Sequence, residues 1–200
     1  MTSNGNNIMF MANQNPKLSP EFKKSLNGLY SIAAEQLESV YNNITDPIKN
    51  NNFCELLKYK KFDLHRMLED NSFVNLLINC VDDDIAKHVI DHSDITCQSS
   101  RHVQPIHVIC QHGSIDLIEY IISKNVNIEC KTDDDWKPIH FVCRYRSENI
   151  IRLVILKCKD IKCWTKIGEN IIDLIRLNTQ IYPTSQIKLV FELSEQIKSI

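Results

Sequence analysis

An all-α solenoid of stacked helix–turn–helix copies, with a helical N-terminal extension, is the fold class this sequence predicts. Three observations predict it. Asp94-Ile95-Thr96-Cys97, Asn127-Ile128-Glu129-Cys130 and Asp160-Ile161-Lys162-Cys163 begin 33 residues apart. The stretch from Gln104 to Cys130 overlays the stretch from Lys137 to Cys163 without a gap. Finally, the chain holds only 4 Gly and no convincing two-residue hairpin between alternating apolar runs, which argues against a sheet.

The elements follow in order. Residues 1–18 are polar, rich in Asn and short of anything to bury, and are expected to be disordered. Ser19 then caps, Pro20 fits the first turn and Glu21 faces the positive end of a long helix. Phe22, Leu26, Leu29, Ala33, Leu37, Val40 and Ile44 recur at steps of three and four, one apolar stripe that must pack on something. Thr45-Asp46-Pro47 opens a further short helix, and residues 51–81 read as two or three more, with Phe53, Leu56, Leu57, Leu64, Met67 and Leu68 as their apolar positions. Residues 19–69 thus form a helical N-terminal region. Residues 70–200 form the stack, with clear copies at 104–136 and 137–169 and degenerate ones at 71–103 and 170–200.

Within a copy the punctuation is physical. Pro105 and Pro138 suit a first helical turn, where a missing N–H costs nothing. A two-turn helix stops at Gly113, expected to take a positive φ. A second helix over 115–124 turns Leu117, Ile118, Ile121 and Ile122 inward, and Asn125 to Trp136 crosses to the next pair. One pair cannot bury its apolar face; stacked pairs can. The insertion 179–185 breaks the stride before a last helix from about Ser185, a plausible C-terminal cap.

Composition narrows function. A hydrophobic fraction of 43% supplies a core, while a net charge of −2 gives no basic field for a nucleic acid and no basic cluster for an anionic membrane. No basic leader precedes the short apolar run at Ile8–Met11, and no apolar stretch approaches the ~20 residues of a membrane span. The 8 cysteines are therefore expected to stay reduced, in the cytoplasm or, as a second choice, the nucleus.

The two clear copies resemble the ankyrin repeat. Gln104-Pro105-Ile106-His107 and Lys137-Pro138-Ile139-His140 match its Thr-Pro-Leu-His opening, Ile109-Cys110 and Val142-Cys143 its paired small residues, and Ile121-Ile122 and Val154-Ile155 its paired leucines. Gly113 matches the glycine between the helices, where the second copy has Arg146; Gly168 matches the hairpin glycine of a third copy, in which Ile171 replaces Pro and Asp173 replaces His. The resemblance implies that His107 and His140 bond backbone groups and tie hairpin to helix. It also implies a concave face of hairpin tips and outward first-helix positions. Those tips are Arg101 and Val103, Asp134 and Trp136, Ile167 and Glu169; the helix positions are Val108, Gln111 and His112, then Phe141, Arg144 and Tyr145. Trp136, Phe141, Arg144 and Tyr145 are the residue types that dominate binding interfaces, and Asp133, Asp134 and Asp135 add negative charge beside them.

Other chemistries fit the sequence less well than this face. Corresponding residues in adjacent copies lie about 8–10 Å apart, too far for a disulfide or a shared zinc, so Cys97, Cys130 and Cys163 read as a ladder of small hydrophobes. The cluster Cys97, His102, His107, Cys110 and His112 is richer in ligand types but has no paired-cysteine spacing. No hydrolase elbow, phosphate loop or zincin motif occurs. The expectation is a non-enzymatic interaction module or scaffold, without cofactor or metal and monomeric on its own, that binds a protein or peptide. The alternative is a regulatory or adaptor subunit that docks a larger assembly, such as a degradation or chaperone complex, through the Phe22–Ile44 stripe.

Overall fold

The computed structural model describes residues 19–21, 23–24, 47–48, 52–80 and 82–199, and the chain divides into two compact units, Met1–Asp46 and Pro47–Ile200. In the first unit Pro20, Glu21, Lys23 and Lys24 are helical, and the Lys23 N–H donates to the Ser19 carbonyl at 3.0 Å. The stripe from Phe22 to Ile44 and the segment 1–18 lie outside the described residues.

The second unit holds a 3₁₀ turn, Phe53–Lys58, and nine α-helices among its described residues: α1 Leu64–Glu69, α2 Ser72–Asn79, α3 Asp83–Asp91, α4 Pro105–His112, α5 Ile115–Ser123, α6 Pro138–Tyr145, α7 Glu148–Ile155, α8 Ile171–Arg176 and α9 Pro183–Ser199. No strand of more than an isolated bridge, Trp164 to Asn170, occurs among them. The helices α2, α4, α6 and α8 start at 72, 105, 138 and 171, and each packs on the next to form one layer. The helices α3, α5, α7 and α9 form the second layer, with α5, α7 and α9 docked behind α4, α6 and α8. Within it α3 packs on α5, and Arg152 of α7 reaches Glu192 of α9 at 2.7 Å.

The core runs between the layers. Ile106, Ile109, Cys110, Ile139, Val142 and Cys143 supply the first-helix side; Leu117, Ile118, Ile121, Ile151 and Val154 supply the second, all within 1% of complete burial. These are the positions the 3.6-residue spacing selects, three or four apart on one face of each helix. The 3₁₀ turn closes the near end by packing on α3. There Leu56 is fully buried, the Phe62 N–H donates to the His92 carbonyl at 3.0 Å, and His88 Nε2 meets the Tyr59 carbonyl at 2.8 Å.

The turn between first and second helices differs from expectation. Gly113 has φ −70 and ψ 161, extended and not left-handed. Its glycine is needed for space: a Cβ there would sit 2.8 Å from the Ile109 carbonyl oxygen and 3.0 Å from Ile109 Cγ2. Arg146 fills the same place in the next copy with φ −119 and ψ 165, so the position asks for extended backbone, which any residue supplies. Gly113→Ala is expected to cost about 1 kcal/mol net, the overpacking of ~1–3 kcal/mol exceeding the ~0.4–1 kcal/mol gained from a stiffer unfolded chain. The urea midpoint at constant slope reports it.

Arg146 does more than fill space. Its guanidinium reaches back one copy to donate to the Gln111 carbonyl at 3.1 Å and to the Gly113 carbonyl, which otherwise end α4 unpaired. One copy on, Asn178 Nδ2 donates to the Cys143 and Arg146 carbonyls at 2.8 Å each. The copies at 137–169 and 170–200 thereby each cap the first helix of the copy before.

A candidate binding surface on the first-helix flank

Three hairpin tips stand beside the first helices. Each is closed by the same backbone bonds: Ser99 N–H to Val103 O at 2.9 Å, Thr132 to Trp136 at 3.0 Å and Thr165 to Glu169 at 2.8 Å. A hydroxyl repeats with them, since Ser99 Oγ, Thr132 Oγ1 and Thr165 Oγ1 accept from the N–H of Val103, Trp136 and Glu169 at 3.2, 3.2 and 3.1 Å. The fourth residue of each tip is left-handed, with φ 56 at His102, 59 at Asp135 and 81 at Gly168. Adjacent tips are also stitched by backbone, Asp133 N–H to Arg101 O at 3.2 Å and Lys166 N–H to Asp134 O at 2.9 Å. The result is a rigid rail.

A buried histidine ties each rail segment to its helix. His107 Nδ1 accepts the Gln104 N–H at 2.9 Å, and His140 Nδ1 accepts the Lys137 N–H at the same distance. An N–H can only donate, so Nδ1 is unprotonated and the proton sits on Nε2. From there His107 reaches the Cys130 carbonyl at 3.2 Å, and the Nε2 atoms of His107 and His140 lie 3.5 and 3.3 Å from the sulfurs of Cys130 and Cys163. Burial, outweighing these backbone bonds, pulls both imidazoles down to about 4, so both are neutral at pH 7.

The same geometry decides against a cysteine nucleophile. Activation needs a base with a free lone pair toward the thiol, but Nε2 already carries its proton. Burial also pushes Cys130 up to about 11 and Cys163 above its ordinary value. Among the described residues no three His, Cys, Asp or Glu side chains converge in a way that would hold a metal ion, and the described cysteines form no disulfide. His102 and His107 are instead engaged with Asp133 and Cys130. No described helix is long and apolar enough to cross a membrane.

The aromatic residues do come together. Phe141 lies between His107 and Trp136, with ring centroids 5.5 and 5.0 Å away; Trp136 stacks on Tyr145 at 6.4 Å with 26° between planes. The Arg144 guanidinium covers the Tyr145 ring at 5.7 Å and is pinned by donating to the Leu177 carbonyl. A row of rings thus climbs from the buried His107 to Tyr145, which is 43% exposed. Such rings offer much contact area at small entropic cost, because packing already holds their few rotors.

The other expected positions divide. Arg101 and Asp134 are exposed and pair across adjacent tips at 3.5 Å, and Val103 is half-buried in its hairpin. Gln111 and His112 are half-buried at the end of α4, where burial and then the nearby Arg146 charge hold the His112 imidazole below its usual range. Val108 is a correction: expected to face outward, it is buried where α4 is flanked by α2 and α6. The tip aspartates are not a free anionic patch, because Asp133 meets His102 at 2.5 Å, Asp134 meets Arg101, and Asp135 meets Lys131 at 3.0 Å.

A family model of ankyrin repeats in three copies matches residues 64–167. The chain belongs to the ankyrin-repeat family. No curated protein matches it. Ankyrin repeats generally act as protein–protein interaction modules, and ankyrin domains are typically non-enzymatic. Sequence reading overlooked three parts of this ankyrin stack. The tip hydroxyls of Ser99, Thr132 and Thr165 were legible at the 33-residue stride. Trp164, 57% exposed beside the third tip, joins the expected tip residue Ile167, 79% exposed, in extending the apolar edge of the rail. The third is Lys137, whose side chain is only 7% exposed and whose ammonium lies 2.8 Å from both Glu129 and Asp160. That cation braces two successive connections and takes no part in the surface.

Proposed function

We propose that this chain is a scaffold or adaptor that captures a protein or peptide on the first-helix flank of its ankyrin stack. The row Phe141–Trp136–Tyr145, with Arg144 laid over its outer ring, is the single observation that carries the reading. Trp136 and Tyr145 are the anchors; Arg101, Val103, Gln111, His112 and Asp134 lie along the rim. The partner meets a surface whose backbone is already bonded tip to tip, so binding needs little rearrangement. Recognition is chiefly apolar and aromatic, because Asp134 and Asp135 are paired with Arg101 and Lys131 of the same chain and Asp133 is engaged by His102. We place the protein in the cytosol, with the nucleus second, where thiols such as Cys97 and Cys163 stay reduced.

Affinity capture from lysate with mass spectrometry tests this, using wild type, Trp136→Ala/Tyr145→Ala and a chain lacking residues 1–44. The double variant is expected to weaken the captured partner by about 30-fold or more, as for loss of a hot-spot pair, while circular dichroism stays unchanged. Capture that survives the double variant but is lost with residues 1–44 refutes this surface and supports docking through the N-terminal stripe.

A further inference from the structure

We propose that a second copy of this chain docks on α9, the two α9 helices running antiparallel about a two-fold axis. Leu189 and Leu193 are buried against the stack at 0% and 3% exposure, which turns Ile187 and Phe191 outward at 72% and 68%. With Val190 and Ser194 these residues line an open groove of about 470 Å³ along α9. The groove carries opposite charges at its two ends. Gln186 Nε2 donates to the Asn178 carbonyl, which sets the start of α9 beside the end of α8 and so puts Arg176 at that end. Glu195 lines the other end, nine residues beyond Gln186, or about 13 Å at 1.5 Å per residue.

An apolar strip positive at one end and negative at the other is complementary to its own copy only when that copy is reversed. The two-fold pairing then sets Arg176 against Glu195 twice and Phe191 against its own copy at the centre, an isologous contact that closes at two chains. Arg176 and Glu195 are both already engaged within their own chain, Arg176 with the exposed Asp173 at 3.6 Å, so the pairing across the axis competes with or adds to existing weak surface contacts and fills no vacant partner. This dimer departs from the monomer expected from sequence. It leaves the first-helix flank open, and its test is independent of the one proposed for that flank.

Sedimentation velocity on the full chain decides it, from about 5 to about 200 µM, the range in which micromolar association shows. The mass is expected to rise from 23.2 kDa toward twice that value with concentration. Ile187→Glu/Phe191→Glu should remain monomeric throughout with unchanged helicity. Arg176→Glu should weaken dimerisation by about 10-fold, the worth of roughly one lost charge pair at each symmetric site, and added Glu195→Arg should restore it. A wild type that stays at 23.2 kDa, a dimer that survives the double Glu variant, a charge reversal without rescue, or growth beyond two chains would each overturn the proposal.

Discussion

Acidification from pH 6.5 to pH 4 is expected to strip about 6 kcal/mol of stability from the stack, comparable to the whole stability of a marginal domain, about 5 kcal/mol. Two fully buried histidines account for this figure, and the half-buried His112, held down by burial and Arg146, adds to the loss in the same sense. His107 and His140 are fully buried, and burial lowers each from 6.5 in an open chain to about 4 in the fold. The unfolded chain therefore takes up protons first as pH falls. The contribution is complete above pH 6.5, declines between 6.5 and 4, and declines no further below 4. Each imidazole accounts for about 3 kcal/mol, from ~1.4 kcal/mol per pH unit of displacement. Several carboxylates work in the same sense but in a lower window. Hydrogen bonds from Lys124 and Tyr120 hold Asp91 below its ordinary 3.8, and the Lys137 hydrogen bond does the same for Asp160. Their contribution is present above that value and is lost only under more acid conditions. A urea midpoint followed from pH 7 to pH 4.5 thus isolates the histidines. The degenerate copy suggests the control: there the Asn170 N–H donates to Asp173 Oδ2 at 3.2 Å in place of an imidazole. His140→Asn is expected to lower stability at pH 7 yet halve the loss on acidification.

Lys137→Met is expected to destabilise the fold by about 2–3 kcal/mol and lower Tm by roughly 5–10 °C. Burial disfavours the Lys137 ammonium, but its hydrogen bonds to Asp160 and Glu129 more than reverse this and hold its pKa well above the usual lysine range. Methionine keeps the length of the stem and removes only the charge. Glu129, 24% exposed, then has no cation and keeps only the N–H groups of Lys159 and Asp160, at 2.8 and 3.5 Å. Asp160 is 54% exposed and recovers water, which is why the cost stays below that of breaking a fully buried pair. Lys137→Met/Glu129→Gln should regain part of the loss. Thermal melts of the two single variants and the double measure that coupling.

The stack itself was legible because a solenoid writes its contacts into its own period. Pro105 and Pro138 open α4 and α6, and His107 and His140 make the same bond at the same distance. The aromatic row was legible for a related reason: Trp136, Phe141 and Tyr145 lie within ten residues on one tip and one helix. What stayed hidden joins residues across copies. Lys137 meets carboxylates 8 and 23 residues away, and Arg146 caps carbonyls 33 and 35 residues behind it, spacings with no local signature. Val108 was misplaced because helical spacing tells which residues share a face, not how closely the neighbouring helix covers that face. Gly113 was misread in the same way: glycine between helices signals either a left-handed residue or a close approach, and only the short distance to Ile109 tells which.

Hydrogen–deuterium exchange on the chain with and without its captured partner tests the binding surface most directly. The account requires slowed exchange at the tips 132–136 and 165–169 and along α6, with α3 and α5 unchanged. Protection confined to α3, α5 or the N-terminal residues, with none at Trp136 to Tyr145, would contradict it.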